Sequence, residues 1–396
     1  MAINVIIIGA GLGGLTLAQG LRAAGVDVAL HERDPHPFAR GQGYRIHLDP
    51  EADQVLRDCL PPSVYRLYRD TTGLSHGQPL LMTEQLVLLI DADYQQRYTY
   101  REPVTDDAVV DRLTFRQALT AGLDGAIHYG KVFTRYETLD SGRVRAHFAD
   151  GSTADADLLV GADGANSVVR NQLLPHAPTF DSGLRLIYGK TPLTDARRHA
   201  LPDGMVGGFA IITAPRNLGM ALGWYEYRDN PEQVAARLGL DVEFRDTENY
   251  LMWALTVPAE NLPSDLGRAG GEALLAAARQ HTGDWHPVLR EIVAGVSVPS
   301  LMLLPLRTSL PVGRWPAGPV TLLGDAAHAM FPAGSGTLVA LRDARLLRDT
   351  LTSAGDGAAV DAVDEYQRAM YGYAWKDVRE SYHMAERLGG RPWPQS

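Results

Sequence analysis

The stretch INVIIIGAGLGGLTLAQGLRAAGVDVALHER, residues 3–33, decides the fold. Its first six residues form a continuous apolar run, which is typical of a parallel strand buried on both faces. A glycine-rich turn follows at Gly9, Gly11 and Gly14, and an amphipathic helix and a second strand come after it. The stretch therefore predicts a βαβ unit with a G-x-G-x-x-G turn at its first junction.

The spacing of these glycines and of the acid after them indicates a dinucleotide site. Glycines let the backbone approach a pyrophosphate at the positive end of a helix, and Glu32, 18 positions after Gly14, can accept hydrogen bonds from a ribose. Leu12 and Gly13 complete the turn, and Arg33 follows the acid. A glycine-rich packing turn with a solvated Glu32 is the alternative interpretation.

The composition of the chain limits the classes of protein to which it can belong. The chain has 396 residues, and 45% of them are hydrophobic, which suffices for a sizeable core in one or two domains. A net charge of -10 without a basic run argues against nucleic acid as a partner. Cys59 is the sole cysteine, so an internal disulfide is excluded, and no histidine spacing indicates a metal site. With no signal sequence or long apolar stretch, we expect a cytoplasmic protein that does not span a membrane.

The pattern of predicted strands and helices changes twice along the chain. Residues 179–299 contain aromatic-rich, strand-like segments that predict a mixed or antiparallel sheet, and strand, glycine loop and helix return after residue 300. We therefore predict an α/β fold in three parts. These are a discontinuous nucleotide-binding domain over 1–72, 107–178 and 300–358, a second domain over 73–106 and 179–299, and C-terminal helices over 359–396.

Two further loops lie where predicted strands end. GADGANSVVR, residues 161–170, leaves its strand at Asp163. VTLLGDAAHAMFPAGSGTLVALRDARLL, residues 320–347, runs from a strand through Gly324-Asp325 into a glycine loop and a helix. His328 is assigned a structural hydrogen-bonding role at this turn in preference to one in catalysis.

The three motifs in this order resemble those of the group A flavoprotein monooxygenases, the family of para-hydroxybenzoate hydroxylase, over nearly the whole chain. The resemblance implies a Rossmann-like FAD-binding domain of the GR2 type with a substrate domain beside it. It also implies NAD(P)H reduction of FAD, formation of a C4a-hydroperoxyflavin from O2, and hydroxylation of an aromatic or polyketide-like molecule in secondary metabolism or antibiotic biosynthesis. An epoxidase, a Baeyer-Villiger oxygenase and a flavin-binding partner without oxygenase activity are the alternatives, and the protein is expected to be a monomer or homodimer.

The resemblance also implies roles for individual residues. Gly9, Gly11 and Gly14 line the FAD pyrophosphate, Glu32 holds the ribose, and Arg116, in RQALTAGL, contacts the ribityl and phosphate region. Arg40 approaches the flavin, Asp163 contacts both FAD and NAD(P)H, and Asp325 accepts a hydrogen bond from a ribityl hydroxyl. Pro332 lies beside the ring. The helix start at Gly334, Gly336, Thr337 and Leu338 presents backbone N–H groups to the charge of the reduced flavin. Leu338 departs from the family, which usually has Asn there.

The substrate is expected between the flavin and the second sheet. Strand alternation puts Met220 and Trp224 on one face and Ala221 and Tyr225 on the other, so one set alone can line a pocket. The sequence leaves open which face that is. Four aromatic residues are named as substrate contacts, with an ordinary core role as the alternative: Tyr188, Phe209, Trp224 and Phe331.

Overall fold

The computed structural model describes residues 3–39, 44–74, 80–89, 108–202, 205–332, 334–354 and 359–394. The described chain forms a parallel sheet with helices and a larger, mostly antiparallel sheet, which confirms the predicted α/β fold. The strands are numbered in chain order: β1 Asn4–Ile8, β2 Asp27–His31, β3 Arg45–Leu48, β4 Leu80–Thr83, β5 Ala108–Asp111, β6 Ile127–His128, β7 Phe133–Thr138, β8 Val144–Phe148, β9 Thr153–Ala156, β10 Leu158–Gly161, β11 Thr179–Pro192, β12 Phe209–Ala214, β13 Leu218–Tyr225, β14 Tyr250–Pro258, β15 Met302–Ser309 and β16 Val320–Leu322.

The helices follow the same numbering. They are α1 Leu12–Ala23, α2 Pro50–Cys59, α3 Pro62–Asp70, α4 Arg112–Ala118, α5 Val168–Leu173, α6 Asp195–Ala200, α7 Pro231–Leu238, α8 Gly271–His281, α9 Pro287–Ala294, α10 Asp325–His328, α11 Gly336–Ser353 and α12 Ala359–Arg387. The long α12 agrees with the predicted helical C-terminal segment.

The first sheet has five parallel strands in the order β16-β10-β1-β2-β6. Its central strand β1 is buried because it lies between β10 and β2 and against α1, and its apolar side chains are almost wholly inaccessible to water. All five strands run the same way, so their carboxyl ends meet at one edge. That edge brings the glycine turn after β1, Glu32 after β2, Asp163 after β10 and Asp325 after β16 together.

The second sheet has six strands in the order β15-β11-β14-β13-β12-β4. Its pairs are antiparallel except β12 with β4, which run parallel. Because β15 pairs with β11, the second sheet extends to Ser309, beyond the predicted domain boundary at residue 300. Two small sheets, β3-β5 and β7-β8-β9, complete the strands of the described residues.

The two faces of the second sheet have different neighbours. Met220, Leu222 and Trp224 point into an apolar cluster with α8 and α9. Ala221 and Tyr225, on the opposite face of β13, lie with Tyr44 and with aromatic residues of neighbouring strands. The structure thus selects the Ala221 face as the one directed toward the first domain.

Candidate functional site

The glycine turn between β1 and α1 has two distinct steric roles. Gly9 has a φ of 110°, and a Cβ added to Gly14 would lie 2.2 Å from the Gly9 carbonyl oxygen. Both glycines therefore serve the tight turn and the close approach of helix to strand. A Cβ on Gly13 would lie 2.6 Å from the Leu323 side chain, whereas one on Gly11 would meet no atom within 4 Å. Gly11 alone of these four faces open space.

The first turn of α1 is suited to an anion. Gly11 is its N-cap, no side chain caps it, and no acidic residue lies in its first turn. Its first N–H groups and the positive end of its dipole therefore face the open space at Gly11. This arrangement fits a pyrophosphate, as the sequence predicts.

Glu32 and Arg116 form a buried network beside this turn. The Glu32 carboxylate accepts hydrogen bonds from the N–H of Ala10 at 2.8 Å and from the N–H of Asp34 at 2.9 Å. The Arg116 Nε donates to the Ala10 carbonyl at 2.7 Å, and its Nη2 lies 3.5 Å from a carboxylate oxygen of Glu32 and of Asp34. Arg116 thus lies beside Glu32 and the glycine turn. Its contact with the ribityl and phosphate region of FAD stays a prediction.

Arg112, one helical turn earlier, is a residue that the sequence reasoning missed. Its positive charge acts on Asp325, Tyr44 and Tyr188, which belong to the other end of the site. The signal was present, because RLTFRQAL repeats the arginine and apolar spacing of RQALTAGL four residues earlier. The Arg112 register has Phe115 where the Arg116 register has Leu119, so the spacing of arginine and apolar residues alone could not choose between the two arginines.

Asp325 begins α10, directly after Gly324, whose φ of 59° and ψ of -139° turn the chain out of β16. The Asp325 side chain is exposed and accepts no hydrogen bond within the part of the chain that the structure describes. The surrounding protein nevertheless desolvates the carboxyl group and raises its pKa, while the positive charges of His328, Arg112 and Arg170 act against that rise. The carboxylate is therefore available to a hydroxyl donor from a ligand.

The start of α11 is a second helix terminus open to a ligand. Ser335 is its N-cap, no side chain caps it, and its first turn contains no acidic residue. Gly334 has a φ of 106° with nothing within 4 Å of an added Cβ, and the nearest atom to a Cβ on Gly336 is 4.0 Å away. Thr337 and Leu338 follow in the first turn. Leu338 is partly buried against the main apolar core, and Pro332 is exposed.

Asp163 has an internal role in the structure. Its carboxylate accepts hydrogen bonds from the N–H groups of Val168 at 2.7 Å and Val169 at 3.3 Å, and from the Ser167 hydroxyl at 2.5 Å. It thereby holds the first turn of α5. Burial raises the pKa of this carboxyl, and these hydrogen bonds oppose the rise. Exposed Arg33 is at the same sheet edge, and Arg40 lies outside the described residues.

These features fit an extended dinucleotide cofactor such as FAD. The open helix starts at Gly11 and Gly336 can each face a negatively charged part of it, the pyrophosphate and the reduced ring. Glu32 and Asp325 supply acceptors for hydroxyl groups near each end. The residues present would hold the adenosine end at Glu32 and the ribityl chain at Asp325.

A trough of small residues crosses the Ala221 face of the second sheet. Ala254 of β14 pairs with Tyr188 on one side and Ala221 on the other, and Gly223 pairs with Phe209. The small side chains lie between aromatic ones, and Arg45, Met252 and Phe331 pack close to them. We call these residues the sheet trough: Tyr188, Phe209, Ala221, Gly223 and Ala254.

Residues of the first domain border the sheet trough. Tyr44 stacks on Tyr188 with ring centroids 4.0 Å apart, and the Arg45 guanidinium lies 5.2 Å from the Phe209 ring centroid. Phe331, which follows α10, is buried in an apolar cluster that includes Ala254. Three of the four predicted substrate residues, Tyr188, Phe209 and Phe331, therefore lie on this side of the sheet.

Trp224 does not join them. Its indole Nε1 donates to Glu226 at 3.2 Å, and Arg198 lies over its ring at 4.9 Å on the other face of the sheet. Strand alternation explains the difference, since Trp224 and Gly223 are adjacent in sequence and point to opposite faces. Trp224 is a core residue of the second sheet.

No group of three or more histidine, cysteine or acidic side chains is arranged to hold a metal ion in the described segments. Among the helices of the described ranges, none is both long enough and apolar enough to cross a bilayer.

Comparison with known proteins agrees with this geometry. Residues 7–69 match the family described as NAD(P)-binding Rossmann-like domain, and residues 307–381 match the FAD binding domain family. The FAD-dependent monooxygenase thnD of Trichoderma harzianum is 33% identical over 88% of this chain and 82% of its own length. The 3-amino-4-hydroxybenzoate 2-monooxygenase of Streptomyces cremeus is 30% identical over 92% of this chain and 82% of its own.

A solved structure and a longer relative extend the comparison. The crystal structure of a protein from Photorhabdus luminescens subsp. laumondii TTO1, described as an FAD containing monooxygenase, has a TM-score of 0.81 and 30% identity, covering 98% of both chains. The dual O-methyltransferase/FAD-dependent monooxygenase CTB3 of Cercospora beticola is 29% identical over 98% of this chain, which spans only 46% of that relative. The motifs, the sheet edge on which they meet and these similarities agree, and the chain belongs to the FAD-dependent monooxygenase family, the group A flavoproteins that its sequence resembles.

Proposed function

We propose that the protein inserts one oxygen atom from O2 into an electron-rich aromatic or polyketide-like small molecule, with NADH or NADPH as reductant. The observation that carries this proposal is the sheet trough, a group of small and aromatic residues on the face of the second sheet that is directed toward the domain holding Asp325 and the start of α11. Bound FAD supplies the electron transfer and the activation of oxygen. The protein binds and orients the two reactants and limits the access of water.

The shape and chemistry of the sheet trough favour a flat substrate. Tyr188 and Phe209 are half-buried and offer ring faces beside the half-buried Ala221. Arg45 crosses above Gly223, since a Cβ on that glycine would lie 2.8 Å from the Arg45 side chain. A planar aromatic ring could stack on these ring faces next to the Arg45 guanidinium.

Polar groups at the edge of the sheet trough favour a phenol. The hydroxyl of Tyr44 is buried and has no hydrogen-bond partner among the described residues. Burial raises the pKa of Tyr44, so the hydroxyl stays protonated and can donate to a ligand oxygen. The positive charge of Arg112 acts at the same place and favours an oxygen with negative character. The substrate proposed is therefore a phenol whose oxygen meets Tyr44.

A small pocket behind the Asp163 loop is a candidate site for the phosphates of the nicotinamide dinucleotide. Arg170 and Arg307 line it together with Asn166 and Asn171. Arg170 is buried, and its Nε has no hydrogen-bond partner in the part of the chain that the structure describes. Two guanidinium groups beside amide donors suit a phosphate.

Oxygen incorporation tests the proposal directly. FAD-loaded protein is assayed for oxidation of NADH and NADPH with a panel of phenols, naphthols and hydroxyanthraquinones. The products formed under 18O2 are analysed by mass spectrometry. We expect at least one compound to accelerate dinucleotide oxidation and to gain one labelled oxygen. Arg307→Ala is expected to raise KM for the dinucleotide with little change in FAD content.

The alternatives give different results in the same assay. A product that carries the label as an epoxide or an inserted ester oxygen would assign the chain to the corresponding oxygenase. Tight FAD binding with no acceleration and no labelled product across the panel would contradict the oxygenase proposal and favour a flavin-binding partner.

A further inference from the structure

The buried carboxylate of Asp343, in the middle of α11, holds both ends of the short helix α10. Its Oδ2 accepts the N–H of Gly324 at 2.8 Å, and the same oxygen lies 2.6 Å from the Nε2 of His328. Its Oδ1 accepts the hydroxyl of Tyr373, on α12, at 2.5 Å. The side chains of Asp343 and His328 are 0% and 1% exposed, so water does not share these bonds.

In this cluster the negative charge of Asp343 faces the imidazole of His328. Burial alone lowers the pKa of His328, but the negative charge of Asp343 and the hydrogen bond to it outweigh burial and raise that pKa. An ionised carboxylate only accepts hydrogen bonds, so the Nε2 of His328 carries a proton in this contact. The pair is therefore a charge-assisted hydrogen bond shielded from solvent.

The location of the cluster relates it to the cofactor. Asp325 is the first residue of α10, and Gly324 and His328, the two groups held by Asp343, lie on either side of it in sequence. Gly324 has a backbone conformation that only glycine adopts readily, and its N–H is fixed by Asp343. Arg170 adds support from the other side by donating to the carbonyl oxygens of Asp325 and Ala326 at 3.4 and 3.2 Å.

We propose that Asp343 is a positioning residue for FAD, which acts by fixing the direction of the Asp325 carboxylate through Gly324 and His328. The inference rests on FAD as the cofactor of this family and on Asp325 as a ligand of its ribityl chain. It does not depend on the substrate or on oxygenase activity. A carboxylate in the apolar interior is costly unless all its partners are present, and an apolar residue would serve mere packing as well or better. That cost is consistent with a geometric role.

A double-mutant cycle on FAD affinity tests this role. The variants are Asp325→Ala, Asp343→Asn and the two combined, and the dissociation constant of FAD is measured by fluorescence quenching on apoprotein. Loss of hydrogen bonds to a charged group predicts at least about a tenfold weaker affinity for each single variant. Because Asp343 acts through Asp325, adding Asp343→Asn to Asp325→Ala is expected to weaken binding by less than about twofold.

Further measurements separate positioning from stability. The apoprotein melting temperature is recorded for every variant, and the visible circular dichroism of bound FAD is compared at saturation. We expect the flavin band of Asp343→Asn to change, whereas Asp349→Asn, an exposed substitution in the same helix, leaves affinity and spectrum as in the parent. If Asp343→Asn does not fold, Tyr373→Phe, which removes one donor only, is used in the same cycle.

Two results would overturn the proposal. One is additive losses of FAD affinity in the double variant, since independent residues would produce them. The other is a lowered melting temperature with unchanged FAD affinity and flavin spectrum, since that describes a residue of stability alone. If the oxygenase assay fails while the double-mutant cycle shows the expected non-additive losses of FAD affinity, the result counts against the proposed function and not against the role of Asp343.

Discussion

At the scale of single residues, Tyr44 is the side chain that most clearly requires a hydrogen-bond partner from a ligand. Within the described segments its hydroxyl is buried without a hydrogen-bond partner, although a buried polar group normally finds one. Its ring is fixed by the stack on Tyr188, so the hydroxyl has little freedom to seek water. A ligand oxygen at the margin of the sheet trough would satisfy it.

Replacement of Tyr44 by phenylalanine tests this. The ring stack remains, and one hydrogen bond of about 0.5–1.5 kcal/mol to the substrate is lost, so we expect KM for a phenolic substrate to rise about 2- to 10-fold. FAD affinity is expected to stay unchanged. Tyr136→Phe, in the small sheet β7-β8-β9, is the matched control and should alter neither constant. Unchanged KM in Tyr44→Phe would mean that the hydroxyl does not meet the substrate.

At the scale of elements, the β1-α1 turn separates two uses of glycine. Gly14 is needed because its helix approaches the carbonyl of Gly9, whereas Gly11 faces open space. The first use concerns packing of the protein itself, and the second concerns room for a ligand. The same motif therefore combines a structural and a binding requirement.

Alanine substitutions distinguish the two. In Gly14→Ala the new Cβ would lie 2.2 Å from backbone, so we expect overpacking to destabilise the apoprotein by about 1–3 kcal/mol and to reduce its FAD content. Gly11→Ala is expected to fold with nearly the parent melting temperature but to bind FAD more weakly, because the methyl group occupies the space for the pyrophosphate. Melting curves of apoprotein and FAD titrations measure both. Equal FAD affinity in Gly11→Ala and the parent would refute this division.

At the scale of the whole molecule, Asp111 links the two large sheets. It precedes α4 in the first domain and caps that helix through the Thr114 N–H at 2.9 Å. The same side chain accepts Lys190 of β11 at 2.8 Å and the Tyr250 hydroxyl of β14 at 2.8 Å. One buried carboxylate thus satisfies donors from both domains beside the sheet trough.

Removal of this carboxylate should lower the stability of the whole folded molecule. Asp111→Ala leaves Lys190 without its buried partner and α4 without its cap, so we expect the free energy of unfolding to fall by about 3–5 kcal/mol. Urea denaturation followed by tryptophan fluorescence measures it. Asp150→Ala, which removes an exposed partner of Lys131, should leave the midpoint where it is. A small effect of Asp111→Ala would contradict this stabilising role of the carboxylate.

The sequence by itself determined the elements whose signals are local. The apolar run of β1, the glycines of its turn and the acid after β2 are close in the chain, and their spacing specifies a βαβ unit without help from distant residues. Gly324-Asp325 and the helix after it followed from the same kind of local pattern. The sheet edge that joins these motifs then follows from the parallel order of the strands.

Long-range packing resolved the choices for which two local solutions were equivalent. Alternation along β13 left either Trp224 or Ala221 for the substrate face, and the helices α8 and α9, remote in sequence, cover the Trp224 side. The arginine spacing of α4 fitted Arg112 and Arg116 alike, until packing directed them to opposite ends of the site. Asp163 turned out to hold α5, and Asp343 to hold α10, because each buried carboxylate takes the donors that folding brings to it. Periodicity records which side chains share a face, but what covers that face depends on segments far away in the chain.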